Sequence, residues 1–176
     1  MMRFEPEADI FEIDVEARVC PTNCFGIMGA GLAAAFKARH SAYFADYRSS
    51  FRRGKLVMNK CHVYCDGPSR WFISFPTKYH WTDASDLKAI YLTALDLSRV
   101  IQERAIKSIA IPMVGCGLGG LKWDDVRPLL IEALKPAAKG CDIVFLGPAP
   151  ASNVYNEEKT LPLTGQGEAR EASSSA

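Results

Sequence analysis

Residues Ile109 to Trp123 read Ile-Ala-Ile-Pro-Met-Val-Gly-Cys-Gly-Leu-Gly-Gly-Leu-Lys-Trp, an apolar strand that runs straight into a glycine cluster and then into a helix start. Gly115, Gly117, Gly119 and Gly120 fall within six residues. A backbone without Cβ atoms can approach a ligand closely and turn its N–H groups toward an anion, and a following helix adds its positive end. The pattern occurs twice. Ala17-Arg18-Val19-Cys20 reads as a strand ending at Pro21-Thr22-Asn23, and Gly26-Ile27-Met28-Gly29-Ala30-Gly31 then opens a helix through Leu32 to Lys37. A glycine loop alone can be a plain turn, but two strand-to-helix glycine loops in one small domain suggest a ligand whose phosphates bridge both. The run Gly29-Ala30-Gly31-Leu32-Ala33-Ala34 also fits the dinucleotide fingerprint G-x-G-x-x-A. That fingerprint needs its strand to run directly into the first glycine and an acid about 20 positions on. Here the strand stops at Pro21 and the region near Ser49 and Ser50 reads as helical and basic, so a Rossmann site is not expected.

The remaining segments alternate. An edge strand is expected within the first ten residues, leading to Ala8-Asp9-Ile10-Phe11. Tyr43, Tyr47 and Phe51 mark a helix over residues 41–53. Strands are expected at Cys61–Cys65 and Trp71–Phe75, joined by the turn Asp66-Gly67-Pro68-Ser69. Asp83 or Ser85 can cap a long helix whose apolar stripe is Leu87, Tyr91, Ala94, Leu95, Val100 and Ile101. A helix over 124–135 tolerates Pro128 in its first turns, and Asp124 and Asp125 suit its N-terminus. Cys141–Leu146 supplies the last strand. Solidly apolar strands at Ile109 and Cys141 imply a sheet covered on both faces, hence an α/β fold of three layers. One domain over residues 1–148 is expected, and residues 149–176, rich in Pro, Ser, Gly and Glu, are expected to form a disordered tail.

Charge excludes little, because 21 Lys and Arg face 20 Asp and Glu. Locally, seven basic residues and a single acid, Asp46, lie between Lys37 and Lys60. Interleaved with aromatics, such a stretch is either a nucleic-acid-binding face or a solvated helix surface over an aromatic core. No apolar run is long enough to span a membrane, and the N-terminal residues lack a signal-peptide core, so a cytoplasmic protein is expected. The six cysteines, Cys20, Cys24, Cys61, Cys65, Cys116 and Cys141, read as reduced, buried thiols. Their C-x-x-x-C spacings are one residue too long for the common zinc knuckle, and no metal or cofactor is expected. His62, inside a strand, reads as a structural histidine.

Three motifs taken together resemble a macrodomain: Asn23-Cys24-Phe25-Gly26-Ile27-Met28-Gly29-Ala30-Gly31, then Phe75-Pro76-Thr77-Lys78-Tyr79-His80-Trp81, then Ile111 through Trp123. Within that family they are most similar to the DarG-type DNA ADP-ribosyl glycohydrolases, with the terminal ADP-ribose protein glycohydrolase a more distant relative. The resemblance covers about residues 1–147. It implies a three-layer α/β/α sandwich with a central mixed, mostly parallel sheet and an ADP-ribose cleft across the strand ends. By that likeness Asp9 accepts from the adenine amino group with Ile10 beside it, and Asn23 lies near the distal ribose. Gly26, Ile27, Met28, Gly29 and Gly31 grip the diphosphate and distal ribose from one side. Val114, Gly115, Cys116, Gly117, Leu118 and Gly119 grip them from the other, and Thr77 and His80 flank Lys78, which matches the catalytic lysine of the branch.

The chemistry supports such a lysine. Attack on the anomeric carbon through an imine and donation of charge and a proton to the leaving group are both open to it. The first requires a neutral amine, favoured by a dry setting that Phe75, Tyr79 and Trp81 could supply. Two departures from the family matter. The protein-directed relative has an aspartate where this chain has Gly119, which argues against glutamate-linked ADP-ribose and for modified thymidine in single-stranded DNA. Many relatives carry a basic residue where this chain has Ala30. A non-catalytic ADP-ribose reader, an ADP-ribose 1″-phosphate phosphatase and a protein ADP-ribosyl hydrolase are the alternatives. In the DarG branch a further C-terminal half blocks a partner toxin; the present motifs lie outside it, so no toxin partner is expected, and the domain is expected to be a monomer.

Overall fold

The computed structural model describes residues 1–150, and the rest of the expected tail lies outside the described residues. Six strands form one sheet: β1 (Met2–Phe4), β2 (Ala17–Asn23), β3 (His62–Cys65), β4 (Trp71–Lys78), β5 (Ser108–Pro112) and β6 (Asp142–Leu146). Their spatial order is β1-β6-β5-β2-β4-β3. All neighbours are parallel except the edge pair β3 and β4, so the sheet is mixed and mostly parallel, as expected. The helices are α1 (Gly31–Arg39), α2 (Ser41–Arg52), α3 (Leu87–Glu103) and α4 (Trp123–Leu134), followed by a short 3₁₀ turn at Ala137–Lys139.

Alternation along the strands sends side chains into two cores, one on each face. Val19, Ile73, Phe75, Ile109, Ile111, Ile143 and Phe145 pack against α3 and α4. Cys20, Phe72, Ala110 and Val144 face the other way, onto Met28, Phe36, Tyr43 and Tyr47 of the first glycine loop, α1 and α2. The result is the three-layer α/β/α sandwich. Arg18 is the one charged residue of β2. Its guanidinium donates to the carbonyls of Ile10 (2.8 Å), Ile13 (2.6 Å) and Val15 (3.1 Å), stapling the segment after Asp9 onto β2. Burial holds it below the ordinary guanidinium value.

Several boundaries differ from the sequence reading. β2 continues through Pro21 to Asn23 and β4 through Pro76 to Lys78. The reason is local: β5 pairs with β2 only at Ala17 and Arg18 and β3 pairs with β4 only as far as Ser74, so the later parts of β2 and β4 have only each other as neighbours. Proline is tolerated on such edges. The α3 cap is Asp86, whose carboxylate accepts from Ala89 N at 2.9 Å, rather than Asp83 or Ser85. In that helix Leu95 is 41% exposed, and the buried stripe runs Ile90, Ala94, Leu97, Val100 and Ile101.

Beside that stripe α3 buries Asp96, whose carboxylate accepts from Cys61 N (2.8 Å), Lys60 Nζ (3.0 Å) and Arg99 Nη2 (2.9 Å). Burial alone would raise its pKa, but the Cys61 N–H, Lys60 and Arg99 prevail and hold it below the ordinary carboxylate value. A lowered folded-state pKa stabilises the fold at pH above the ordinary carboxylate value. That contribution is lost as the pH falls through the lowered one. Asp96→Ala is expected to cost about 3 kcal/mol, because it also strands the Cys61 N–H. Urea unfolding should show Asp96→Asn losing less at acid pH than at neutral pH.

Candidate active site

In an open α/β sheet, ligands collect outside the carboxyl ends of the strands where the strand order reverses. Here the chain leaves β2 toward β4 on one side and returns across the sheet to β5 on the other, so β2 and β5 bracket that point. Both glycine loops issue from it, Cys24–Ala30 from the end of β2 and Met113–Lys122 from the end of β5. They face each other. A Cβ placed on Gly31 would lie 3.9 Å from Cδ1 of Leu118, a residue 76% exposed at the tip of the second loop. The third element at this end is the terminus of β4, where Lys78 Nζ donates to the Leu118 carbonyl at 3.0 Å. Among the described residues Lys78 has no carboxylate partner. The structure thus brings together Lys78 and the two loops.

The first loop is held open by its own side chains. Asn23 Nδ2 donates to the Ile27 carbonyl (2.7 Å), and its Oδ1 accepts from Phe25 N (3.0 Å) and Ile27 N (3.3 Å). The Tyr47 hydroxyl donates to the Asn23 carbonyl (2.6 Å) from α2. Asn23 therefore spends its amide on loop shape. Gly26 has φ +74°, and a Cβ there would meet Phe51 at 2.6 Å. The N–H groups of Met28, Gly29 and Gly31 find no acceptor among the described residues. α1 begins at Gly31 without a side-chain cap and without an acid in its first turn, so its positive end is unneutralised.

The second loop closes on itself through Cys116 N to Met113 O (3.2 Å), Gly120 N to Gly117 O (3.0 Å) and Leu121 N to Gly115 O (3.0 Å). That leaves the N–H groups of Gly117, Leu118 and Gly119 without an acceptor among the described residues. Its helix contributes less than the sequence suggests, because Asp124 and Asp125 occupy the first turn of α4. Gly119 is packed tightly: a Cβ there would fall 2.3 Å from the Gly115 carbonyl oxygen and 2.3 Å from Ser85 Oγ. A carboxylate at this position is sterically excluded while the loop keeps this shape.

The other expected site residues divide. Asp9 is exposed, with one carboxylate oxygen accepting from Phe11 N (2.9 Å), which leaves the other open. Ile10, Met28 and Val114 are buried in the cores. Thr77 is buried as well, its hydroxyl directed to the Thr22 carbonyl at 3.4 Å, so its side chain serves strand packing. His80 is fixed by Thr82 (Nδ1 to Oγ1, 2.6 Å) and stands edge-on to Phe25 with ring centroids 4.4 Å apart. Phe75 lies in the core and Tyr79 and Trp81 are exposed, so these three rings do not form the dry setting around Lys78 that the sequence suggested. Arg48, which ties α2 to the Gly26 carbonyl of the first loop, and Arg18, which holds the segment after Asp9, were not singled out from the sequence; for Arg18 the signal was the lone charge in its strand.

Thiol chemistry has no support here. Burial pushes Cys24 and Cys141 up to about 11 and also raises Cys20, Cys61 and Cys116. Cys65 differs from expectation in being exposed. His62 is the structural histidine expected, with Nε2 2.6 Å from Asp46. Among the described residues no group of His, Cys, Asp or Glu could hold a metal ion, and no helix is long and apolar enough to cross a membrane.

A family model, Macro domain, matches residues 19–130. This chain belongs to the macrodomain family. The macrodomain is 38% identical over 160 residues to a DNA ADP-ribosyl glycohydrolase of Mycobacterium tuberculosis, an alignment covering 89% of this chain and 45% of that protein. Against a DNA ADP-ribosyl glycohydrolase of Thermus aquaticus identity is 36% over 167 residues, covering 92% of this chain and 46% of that one. The chain therefore spans less than half the length of these curated relatives. Among solved structures, the macrodomain of Thermus aquaticus DarG superposes with a TM-score of 0.79 at 35% identity, covering 84% of this chain and 99% of that one. The macrodomain of Mycobacterium tuberculosis DarG gives 0.78 at 36% identity, covering 82% and 97%. A Thermosipho africanus DarTG structure in complex with ADP-ribose gives 0.73 at 28% identity, covering 79% and 40%.

Proposed function

We propose that this macrodomain hydrolyses ADP-ribose from modified thymidine in DNA, with Lys78 as the catalytic group. The observation that carries the reading is the convergence of Lys78, Leu118 and Gly31, which sets one amine between two loops of unpaired N–H groups. Support comes from relatives that are named DNA ADP-ribosyl glycohydrolases and from the similar structure that holds ADP-ribose.

In this reading the N–H groups of Met28, Gly29 and Gly31 and the open end of α1 take the diphosphate, neutralising two charges without long basic side chains. Gly117 and Leu118 close on the distal ribose from the other side, and the free oxygen of Asp9 accepts from adenine next to Ile10. Asn23 and His80 act as positioning residues for the loops that touch ligand. The bond between the anomeric carbon and the base nitrogen breaks; water supplies the hydroxyl to the sugar and a proton to the base. Lys78, released from the Leu118 carbonyl, reaches the anomeric carbon or the leaving base. Borohydride added during turnover separates these routes, because it fixes ADP-ribose on Lys78 only if an imine forms. The reaction site is read as cytoplasmic and the domain as a monomer.

Two glycines test the binding half. A Cβ on Gly117 would meet nothing within 4 Å, and one on Gly29 only Ile27 at 3.5 Å, so neither glycine is required for packing. Gly29→Ala and Gly117→Ala should leave stability unchanged or raise it by about 0.4–1 kcal/mol. ADP-ribose affinity measured by calorimetry should fall about tenfold or more, because the added methyl enters ligand space. A panel of ADP-ribose conjugates on thymidine, guanosine, glutamate and phosphate tests the substrate. Release from thymidine alone is expected, whereas binding of ADP-ribose with no conjugate cleaved would make the domain a reader.

A further inference from the structure

The first glycine loop has a second face. Through Gly26, Ile27, Met28 and Gly29 it lines a groove of about 670 Å³ whose opposite wall is Lys37 of α1 and Phe44, Arg48 and Arg52 of α2. Arg48 ties wall to loop by donating to the Gly26 carbonyl at 3.0 Å. The lining holds three cations and no acid. Asp46, the acid of this stretch, is turned to His62. Lys37 rests over the Phe44 ring at 4.7 Å, and both Lys37 and Arg52 are exposed. Of the seven basic residues expected to form a face between 37 and 60 the groove gathers these three; Lys60 is paired with Asp96, Arg39 rests over the Phe11 ring, and Arg53 and Lys55 lie outside the lining.

A run of rings leads from Phe51 of α2, next to Arg52 of this groove, to the segment that follows Lys78. Trp81, 53% exposed, lies against His80 (5.5 Å between centroids), His80 against Phe25 (4.4 Å), and Phe25 against Phe51 of α2 (5.6 Å). A cationic groove joined to exposed aromatic faces is the arrangement that holds an unpaired strand, charges following the phosphates and rings taking bases. A base presented to a cleft also has to leave its duplex, which favours single-stranded substrate.

We propose that this groove binds the phosphodiester backbone of the single strand flanking the modified nucleotide, so that substrate is recognised beyond its ADP-ribose. The proposal rests on the DNA reading above. The test uses Lys37→Gln/Arg52→Gln, which spares Arg48 and its bond to the loop, with the charge-reversed pair Lys37→Glu/Arg52→Glu alongside. Fluorescence anisotropy with a labelled, unmodified single-stranded oligodeoxynucleotide reads the groove without catalysis. Loss of two phosphate contacts should weaken wild-type binding about tenfold and lower the salt slope by about 1.4. The reversed pair should abolish it. In kinetics, KM for an ADP-ribosylated oligonucleotide should rise with kcat unchanged, while cleavage of ADP-ribosyl-thymidine nucleoside stays at the wild-type rate. Unchanged oligonucleotide affinity in both variants, or no wild-type binding, would overturn the groove assignment. Failure of wild type to cleave the nucleoside conjugate would instead count against the catalytic reading, leaving the anisotropy result to decide the groove.

Discussion

Lys78→Ala is expected to lower release of ADP-ribose from ADP-ribosylated thymidine about a thousandfold, within the range a single positioned acid, base or nucleophile contributes. The side chain is half-buried, pairs with no carboxylate among the described residues and donates to the Leu118 carbonyl, so its removal should leave the melting temperature nearly unchanged. Affinity for free ADP-ribose should also be largely kept, because the unpaired N–H groups that take the diphosphate belong to the backbone. The expected pattern is thus a fall in kcat with binding and folding intact. A parallel loss of binding would reduce Lys78 to a clamp on the second loop, and undiminished release would remove it from the mechanism.

Gly119→Asp is the second large effect. Its Cβ would overlap the Gly115 carbonyl oxygen and Ser85 Oγ, both 2.3 Å away, and the first of these is backbone that also accepts from Leu121 N. The overlap forces the loop to move. A cost of about 3 kcal/mol is expected, as for an overpacked core site, which for a chain of this size lowers the melting temperature by roughly 6–12 °C. Displacing Leu118 would take with it the partner of Lys78, so activity on DNA conjugates should fall as well. The variant should not gain activity on glutamate-linked ADP-ribose, since the carboxylate cannot occupy the loop as it stands. A thermally stable Gly119→Asp domain that cleaves protein conjugates would contradict this packing account.

Much of the fold was legible because it rests on periodicity and on glycine. Apolar strands at Ile109 and Cys141 could only be covered on both faces, and the glycine clusters after β2 and β5 announced backbone that must approach something closely. Lys78 stood out through its neighbours in sequence and its resemblance to a family. What the sequence did not carry were properties of partners distant along the chain. Pro21 looks like a strand end until β5 is seen to leave β2 after Arg18, and Pro76 until β3 is seen to leave β4 after Ser74. Nothing in the sequence marks Asp96 as buried, because Lys60 and Cys61 close over it from far along the chain. Asn23 reads as a ligand contact until its amide is found to hold the Ile27 carbonyl. Gly119 is a further case: its identity was visible as a departure from relatives, but the steric reason lies in Gly115 and Ser85.

The most direct measurement is mass spectrometry of a single-stranded oligonucleotide carrying one ADP-ribosylated thymidine, incubated with excess wild-type domain for a single turnover. Loss of one intact ADP-ribosyl group and recovery of unmodified thymidine are expected, with Lys78→Ala leaving the conjugate whole over the same interval. An oligonucleotide that keeps its full mass while bound to the wild-type domain would contradict the catalytic reading.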